Sequence, residues 1–504
     1  LHGREHSFPT RRSSDLTNIN GAARGIVIWN GHKSNITITN CEVYDNNCCG
    51  IELQDGSSSA INISDNDIHD NWDNGIGIVG LDGTTGANLV DDNTLTDNGR
   101  FGIEIKNPNG NGTNTVISNN DVTQSASFVS LRPSEVRDIA GIAVFRRGLT
   151  GSNVDVPNGV RVINNIVSGY VQDNGASASE GFGIVIEGTN HTVTGNIVSS
   201  NDVGLQQQAG HTPYPGDGDQ SNLPDTYFGR GNSPMTCGNI VAPNTLTNTI
   251  NTRNVGVGAG LVVNTSTGEN FCSIQAAIDD ANTVNGNTIT VSAGTYVEEI
   301  VVNKSLTING PNAAISGCAM GRVAEAIIMP SSSQPFFDGT TEVRLMEIEA
   351  PNVTIRGFTF DGDNPDFDNI DLGPIDAADG IDVYSDVGGI NIQNNIFINI
   401  NEGGINGFPS GAASFTGNVI SNNKFENIPG DVGTGYLLSG YGIGALIYNN
   451  FYADVENNCM TNVRIGIQTG NYNLGDAGNS RSFAGNTINY DAIGIWHNLL
   501  YQNA

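Results

Sequence analysis

Glu52, Glu104 and Lys106 are the side chains whose types and spacing best suit chemistry on a polymer. The two glutamates sit in matching tetrads, Gly50-Ile51-Glu52-Leu53 and Gly102-Ile103-Glu104-Ile105, with Gly75-Ile76-Gly77-Ile78 between them. If each tetrad is a strand in a stack of coils, the glutamates point away from the core. Two coils of about 4.8 Å then put them about 9–10 Å apart. A carboxylate pair about 6.5–9.5 Å apart suits an inverting glycosidase. A lysine beside it suits β-elimination, in which a base removes a proton next to a neutralised carboxylate. Arg132, Arg137, Arg146 and Arg147 could grip uronate carboxylates in a guanidinium fork, and Trp29, Phe145, Tyr214 and Tyr227 could stack on sugar rings. The structural alternative is that outward Glu and Lys on such a stack are simply solvated.

A second concentration of chemistry is the run of nine aspartates from Asp361 to Asp386. They repel one another unless something positive sits among them, and hard oxygen ligands favour Ca²⁺. Asp361, Asp363, Asp366 and Asp368 form the tightest cluster and are the expected calcium ligands, although the EF-hand Gly and Glu are missing. His32, His69, His191, His211 and His497 show no metal-ligand spacing in sequence.

The elements that must position these residues are repeats. Gly-Ile-x-apolar recurs at Gly25, Gly50, Gly75 and Gly102, and a second β-branched marker follows each in phase, leading to Asn near Asn40, Asn66, Asn93 and Asn120. Asparagines at corners can stack into a hydrogen-bonded ladder between coils. Leucine-rich repeats have a similar period, but their Leu lattice is absent. Later tetrads at Gly141 and Gly183 are more widely spaced, so the extra residues leave as loops, expected at 125–139 and 206–238. A Gly-, Asn- and Thr-rich junction at 255–270 separates a first domain, 17–254, from a second, 271–504.

At the start of the second domain, Ile274, Ala277, Ile278 and Ala281 have helical spacing behind an N-cap at Ser273, with Gly286 as a stop. Short strands at 288–292, 300–302 and 306–308 follow. This run, IQAAID through TITVSAGTYVEEIVV, resembles the entry of a right-handed parallel β-helix of the pectate-lyase-like superfamily, where a short helix covers the open end of the stack. The resemblance implies an all-β fold: two tandem right-handed parallel β-helix solenoids, the second with a short N-terminal capping helix. The superfamily's catalytic signatures do not carry over. Gly380-Ile381-Asp382-Val383 is similar to a polygalacturonase strand, but no Asp-Asp pair follows on the next coil and no Arg-Ile-Lys appears. The pectin-esterase Asp-Phe-Ile-Phe-Gly is absent as well.

Composition agrees with many tight turns and short strands: 65 Gly, 7% aromatic and 14% charged residues. A formal charge of −31 argues against nucleic acid and anionic membranes as partners, and no apolar run is long enough to span a bilayer. Of seven cysteines, Cys272 and Cys318 could staple the helix end or remain buried thiols, and Cys48-Cys49 is too slight for a metal site. Residues 6–16, HSFPTRRSSDL, resemble a translated sequencing adapter, so 1–16 are expected to be non-native and both natural ends, with any signal peptide, to lie outside this sequence. Two functions follow as expectations. The first is an extracellular or cell-surface module that binds a polysaccharide or surface glycan, or builds a stalk, without chemistry. The second is a polysaccharide lyase or glycoside hydrolase. A metal-delivery β-helix is disfavoured by five Met and seven His.

Overall fold

Four consecutive corners of the repeat are Asx-Asn dipeptides with divided labour. Asp65, Asp92, Asn119 and Asn164 take positive φ, between 54° and 57°, which short polar side chains tolerate. The residue after each, Asn66, Asn93, Asn120 and Asn165, turns inward and bonds the next coil. The chain can thus reverse direction every few residues and still satisfy its buried backbone.

These corners organise the protein, known from a computed structural model. It describes residues 17–54, 56–109, 114–125, 138–146, 157–172, 180–208, 236–255, 257–335, 341–367, 375–411, 413–430, 442–470 and 482–498. The chain forms two compact units, Leu1–Gly258 and Ala259–Ala504.

The first unit stacks three parallel sheets of eight, eight and six strands. One sheet contains Ile51–Gln54, Ile76–Val79, Phe101–Lys106, Ile139–Phe145, Gly181–Ile186 and Val203–Gln208. Its register places Val27 on Glu52, Glu52 on Gly77, Gly77 on Glu104 and Glu104 on Ala143. The loop expected at 206–238 begins too early, because Gln206–Gln208 still pair with Arg253–Val255 as strand. Likewise Ile139 is strand, not loop. The core is a continuous file of Ile, Leu and Val, including Ile51, Ile76, Ile103, Ile142 and Ile184, each at 0% exposure. Each such side chain contributes about 1.5–3 kcal/mol by leaving water.

The expected ladder exists, with one correction. It runs Asn66, Asn93, Asn120, Asn165, Asn196, Asn244, each Nδ2 donating to the next Oδ1 at 2.9–3.0 Å. Asn40 is not in it. It occupies the positive-φ position, and Cys41 fills the ladder slot, donating its N–H to Asn66 Oδ1.

His191 is buried in this unit. Its Nδ1 accepts from Val160 N–H at 3.1 Å and its Nε2 lies 3.1 Å from the Glu187 carbonyl, which fixes a neutral ring. Burial pushes its pKa down to about 4. The unfolded chain therefore takes up a proton near pH 6.5 while the folded one does not, and this stability, about 3 kcal/mol at most, is lost as pH falls towards 4. Urea midpoints for the first unit should fall between pH 7 and 4.5, and the fall should be smaller in His191→Gln.

The second unit has an eight-stranded and a twelve-stranded sheet. The region expected to be a junction contains a hairpin, Val262–Asn264 with Glu269–Phe271, that pairs antiparallel with Thr288–Val291. Beyond it, strands pair in parallel. The helix is Ile274–Asp279, capped by Ser273, and buries Ile274, Ala277 and Ile278. It ends well before Gly286, where Asp280 leaves helical geometry with ψ at 141° and Lys304 Nζ donates to the carbonyls of Ile278 and Asp280 at 2.6 and 2.9 Å. The Glu298 carboxylate accepts the N–H groups of Ile274 and Gln275 at the other end. Stacked Phe360, Phe397 and Phe425, with centroids 4.9 and 5.0 Å apart, fill the core beside a second ladder, Asn395, Asn423, Asn458, Asn486. Cys318 does not staple Cys272. It bonds Cys459, across 141 residues of chain, while Cys48 and Cys49 bond each other.

Candidate functional site

The glutamates and lysine of the first unit leave their strand away from the core, but they are not solvated. Glu104 and Lys106 are 0% and 1% exposed and form an ion pair at 2.6 Å. Asn74 Nδ2 donates to the same Glu104 oxygen at 2.6 Å. Glu52, 3% exposed, is held by Arg24 Nε at 2.5 Å and Gln54 Nε2 at 2.8 Å. Gly77 lies between them, with room for a Cβ 3.5 Å from Glu104 Oε2 and 4.0 Å from Glu52 Cγ. The structural alternative, that these side chains are simply solvated, therefore does not hold for Glu52, Glu104 and Lys106. The outer face of this sheet has its own apolar cluster, in which Phe101, Ala143, Phe145, Phe182 and Val185 are buried. Phe145 offers no free ring face, Arg146 is half-buried, and the half-exposed Trp29 ring carries the Arg24 guanidinium 5.0 Å above it. Arg132, Arg137, Arg147, Tyr214 and Tyr227 lie outside the described residues.

In the aspartate run, Asp361 Oδ1 accepts from Asp363 N–H at 3.2 Å and from Asn399 Nδ2 at 2.9 Å. Burial raises the Asp361 pKa. Asp366 is exposed and Asp368 lies outside the described residues. Among the described residues, three groups bring acidic, His or Cys ligand atoms within 4.8 Å of one another: Cys48, Cys49 and Glu52; Glu42, Asp67 and His69; and Glu342, Asp379 and Asp382.

The last of these is the most elaborate polar site. Parallel register sets Arg344 beside Asp379, Glu347 beside Asp382, and Asp382 beside Asn406. Asn406 Nδ2 donates to Asp379 Oδ1 at 2.6 Å and to Asp382 Oδ1 at 3.0 Å. Gly403 makes that approach possible, since a Cβ there would stand 2.1 Å from Asn406 Oδ1. Arg344 Nε reaches Asp382 Oδ2 at 2.7 Å and donates to Glu342 Oε1 at 2.9 Å. Burial, together with Asp382, Glu342 and Glu402, pushes the Asp379 carboxyl well above the usual range. Burial likewise pushes Asp382 up to about 8, against the pull of Arg344 and Asn406. Both groups therefore hold a proton more tightly than an ordinary carboxylate.

What reaches solvent here is different in kind. Arg344 and Glu347 side chains are 29% and 30% exposed, while Asp382 is 0% exposed. The guanidinium lies 4.9 Å above the Tyr384 ring. Phe408, 38% exposed, meets Tyr384 edge-on at 6.2 Å and stacks on Tyr448 at 5.3 Å. The outer surface is an aromatic column flanked by a charged Arg-Glu pair, with a locked carboxyl pair beneath. Sequence reading saw Asp379 as a member of a run, and Asp382 also in a tetrad similar to a polygalacturonase strand. It missed Arg344, Asn406 and Phe408 because they belong to other coils.

Comparison with known proteins bears on the fold. The family profile described as a right handed beta helix region matches residues 13–88. A cell surface glycoprotein of Methanothermus fervidus is 36% identical over 105 residues, which is 21% of this chain and 14% of the glycoprotein, so the chain matches about a seventh of that relative's length. The solved PL6 family alginate lyase AlyGC aligns over 93% of this chain and 83% of its own at 12% identity, with a TM-score of 0.23, too low to support inference. Among the described residues no helix is long and apolar enough to cross a membrane. With parallel sheets and asparagine ladders in both units, and a match to the right handed beta helix region over residues 13–88, the chain has a parallel β-helix fold.

Proposed function

We propose that this chain is a cell-surface β-helix module that binds glycan without cleaving it, on the outer face of the second unit. The observation that carries the reading is the column Tyr384, Phe408, Tyr448, in which Phe408 is exposed and Tyr384 carries the Arg344 guanidinium, itself 3.7 Å from Glu347. Aromatic rings bind the C–H faces of sugars, and the charged pair supplies hydrogen bonds to hydroxyls. Asp379 and Asp382 serve to hold Arg344 and Asn406, because at 1% and 0% exposure they admit protons but no sugar. The relative's name supports the surface location. A net charge of −31 favours neutral over acidic glycans.

Catalysis at Glu52, Glu104 and Lys106 is disfavoured by their burial and pairing. The test is affinity electrophoresis of residues 17–504 in gels containing neutral or acidic polysaccharides, with parallel assays for reducing ends and for absorbance near 235 nm. A neutral glycan should retard the wild type, Phe408→Ala should weaken retardation about tenfold by losing one stacking contact, and both cleavage assays should be silent. Equal retardation of wild type and Phe408→Ala would refute this face, and new reducing ends or absorbance would refute the non-catalytic reading.

A further inference from the structure

Glu42, Asp67 and His69 lie on the outer face of another sheet, in the first unit, and their origin is purely a matter of register. Cys41–Tyr44 and Asp67–His69 are strands of consecutive coils, paired Glu42 to Asp67 and Tyr44 to His69. Alternation sends Glu42, Asp67, Tyr44 and His69 to one side, while Val43 and Ile68, both at 0% exposure, enter the core. The carboxylates thus stand side by side at the spacing of neighbouring strands, with the imidazole two residues further along.

The imidazole is oriented from two directions. Its ring stacks on Tyr44, centroids 4.8 Å apart and planes 8° apart. Its Nδ1 lies 2.8 Å from Asp70 Oδ2, a contact that suits a proton on Nδ1, so that Nε2 is the nitrogen a metal ion would take in exchange for its proton. Nε2 points at Glu42 Oε1, 3.5 Å away. A carboxylate on the far nitrogen is how metal-binding histidines are usually held. In a tetrahedral site with bonds of about 2.0 Å, neighbouring ligand atoms are about 3.3 Å apart. The Nε2 to Oε1 separation is close to that value. Asp67 joins them: one ligand atom from each of the three residues lies within 4.8 Å of the others. His69 and Glu42 side chains are 23% and 28% exposed, enough for an ion to enter and keep a water.

We propose that Glu42, Asp67 and His69 bind one first-row divalent cation of the Zn²⁺ type, with Asp70 as the positioning residue for the imidazole. One nitrogen and two carboxylate oxygens, with room for water, form a donor set that zinc accepts and that the all-oxygen preference of calcium does not explain. The site is independent of the glycan-binding face.

The test is calorimetric titration of chelator-treated protein with Zn²⁺, paired with Co²⁺ absorption spectroscopy. One Zn²⁺ should bind per chain, and Co²⁺ should develop visible bands of a four-coordinate nitrogen and oxygen site. His69→Ala and Glu42→Gln should each weaken Zn²⁺ binding at least tenfold, and Asp70→Asn by about 10- to 100-fold through the lost orientation. All three positions are at the surface, and circular dichroism checks that the variants fold. Addition of Zn²⁺ should also shift the His69 imidazole resonances and leave those of buried His191 in place. The proposal is overturned if Zn²⁺ does not bind at 100 μM, if His69→Ala binds it as the wild type does, or if Zn²⁺ moves other histidine resonances and not those of His69.

Discussion

Asn120→Ala is expected to destabilise the first unit by about 4 kcal/mol, whereas Asn119→Gly, one residue earlier, should change stability by about 0.5 kcal/mol or less. The contrast comes from position in the corner. Asn120 Oδ1 accepts both the backbone N–H and the Nδ2 of Asn93, at 3.1 and 2.9 Å, and its Nδ2 donates to the Val90 carbonyl and to Asn165 Oδ1. Removing the amide leaves a buried backbone donor without its acceptor, opens a gap in the ladder and unlinks two coils at once. A buried polar group that loses its partner costs about 1–3 kcal/mol by itself. Asn119 is exposed, holds φ at 54° and makes one side-chain bond, to Asp91. Glycine adopts that φ freely, which offsets the lost bond. Urea denaturation of the two variants against wild type, read at the first unit's transition, measures both. Equal effects would mean that the ladder is ornamental.

The same corner shows what could be read without coordinates. The Gly-Ile tetrads, the Asn repeats and the Ser273 cap were legible because local periodicity and chain geometry produce them. Asn40 was assigned to the ladder when the slot belongs to Cys41, since a dipeptide corner does not say which member turns inward. Side-chain alternation predicted correctly that Glu104 and Lys106 leave the core, but it reports a direction and not what lies there, so their burial was invisible. The aspartate run calls for positive charge, and at its Asp379 and Asp382 end that charge is Arg344, 35 residues before Asp379 and brought there by the pairing of coils. His69 had no ligand spacing in the usual sense because its partner Glu42 is one coil away. In a stacked repeat, the spacing that matters for a site is the coil length, and that length varies.

Lys106→Ala should destabilise the first unit by about 3–5 kcal/mol, because Glu104 would remain buried without its counter-charge. The lysine ammonium lies 2.6 Å from a carboxylate that is 0% exposed, and Asn74 is the other partner of that oxygen. A single neutral hydrogen bond does not compensate an unpaired buried charge. Glu104→Gln should cost a similar amount, because the Lys106 ammonium, 1% exposed, loses the carboxylate 2.6 Å from it. Joining Glu104→Gln to Lys106→Met removes both charges, keeps the volume and leaves an amide to accept from Asn74, so the double variant should recover most of the loss. A catalytic pair behaves otherwise: each single variant would fold as well as wild type and the double would abolish cleavage. Denaturation curves for the four proteins, alongside the reducing-end and 235 nm assays, separate the alternatives. Non-additive loss and recovery of stability in a protein that cleaves nothing would show that this buried pair holds the coils together, with the ligand face elsewhere.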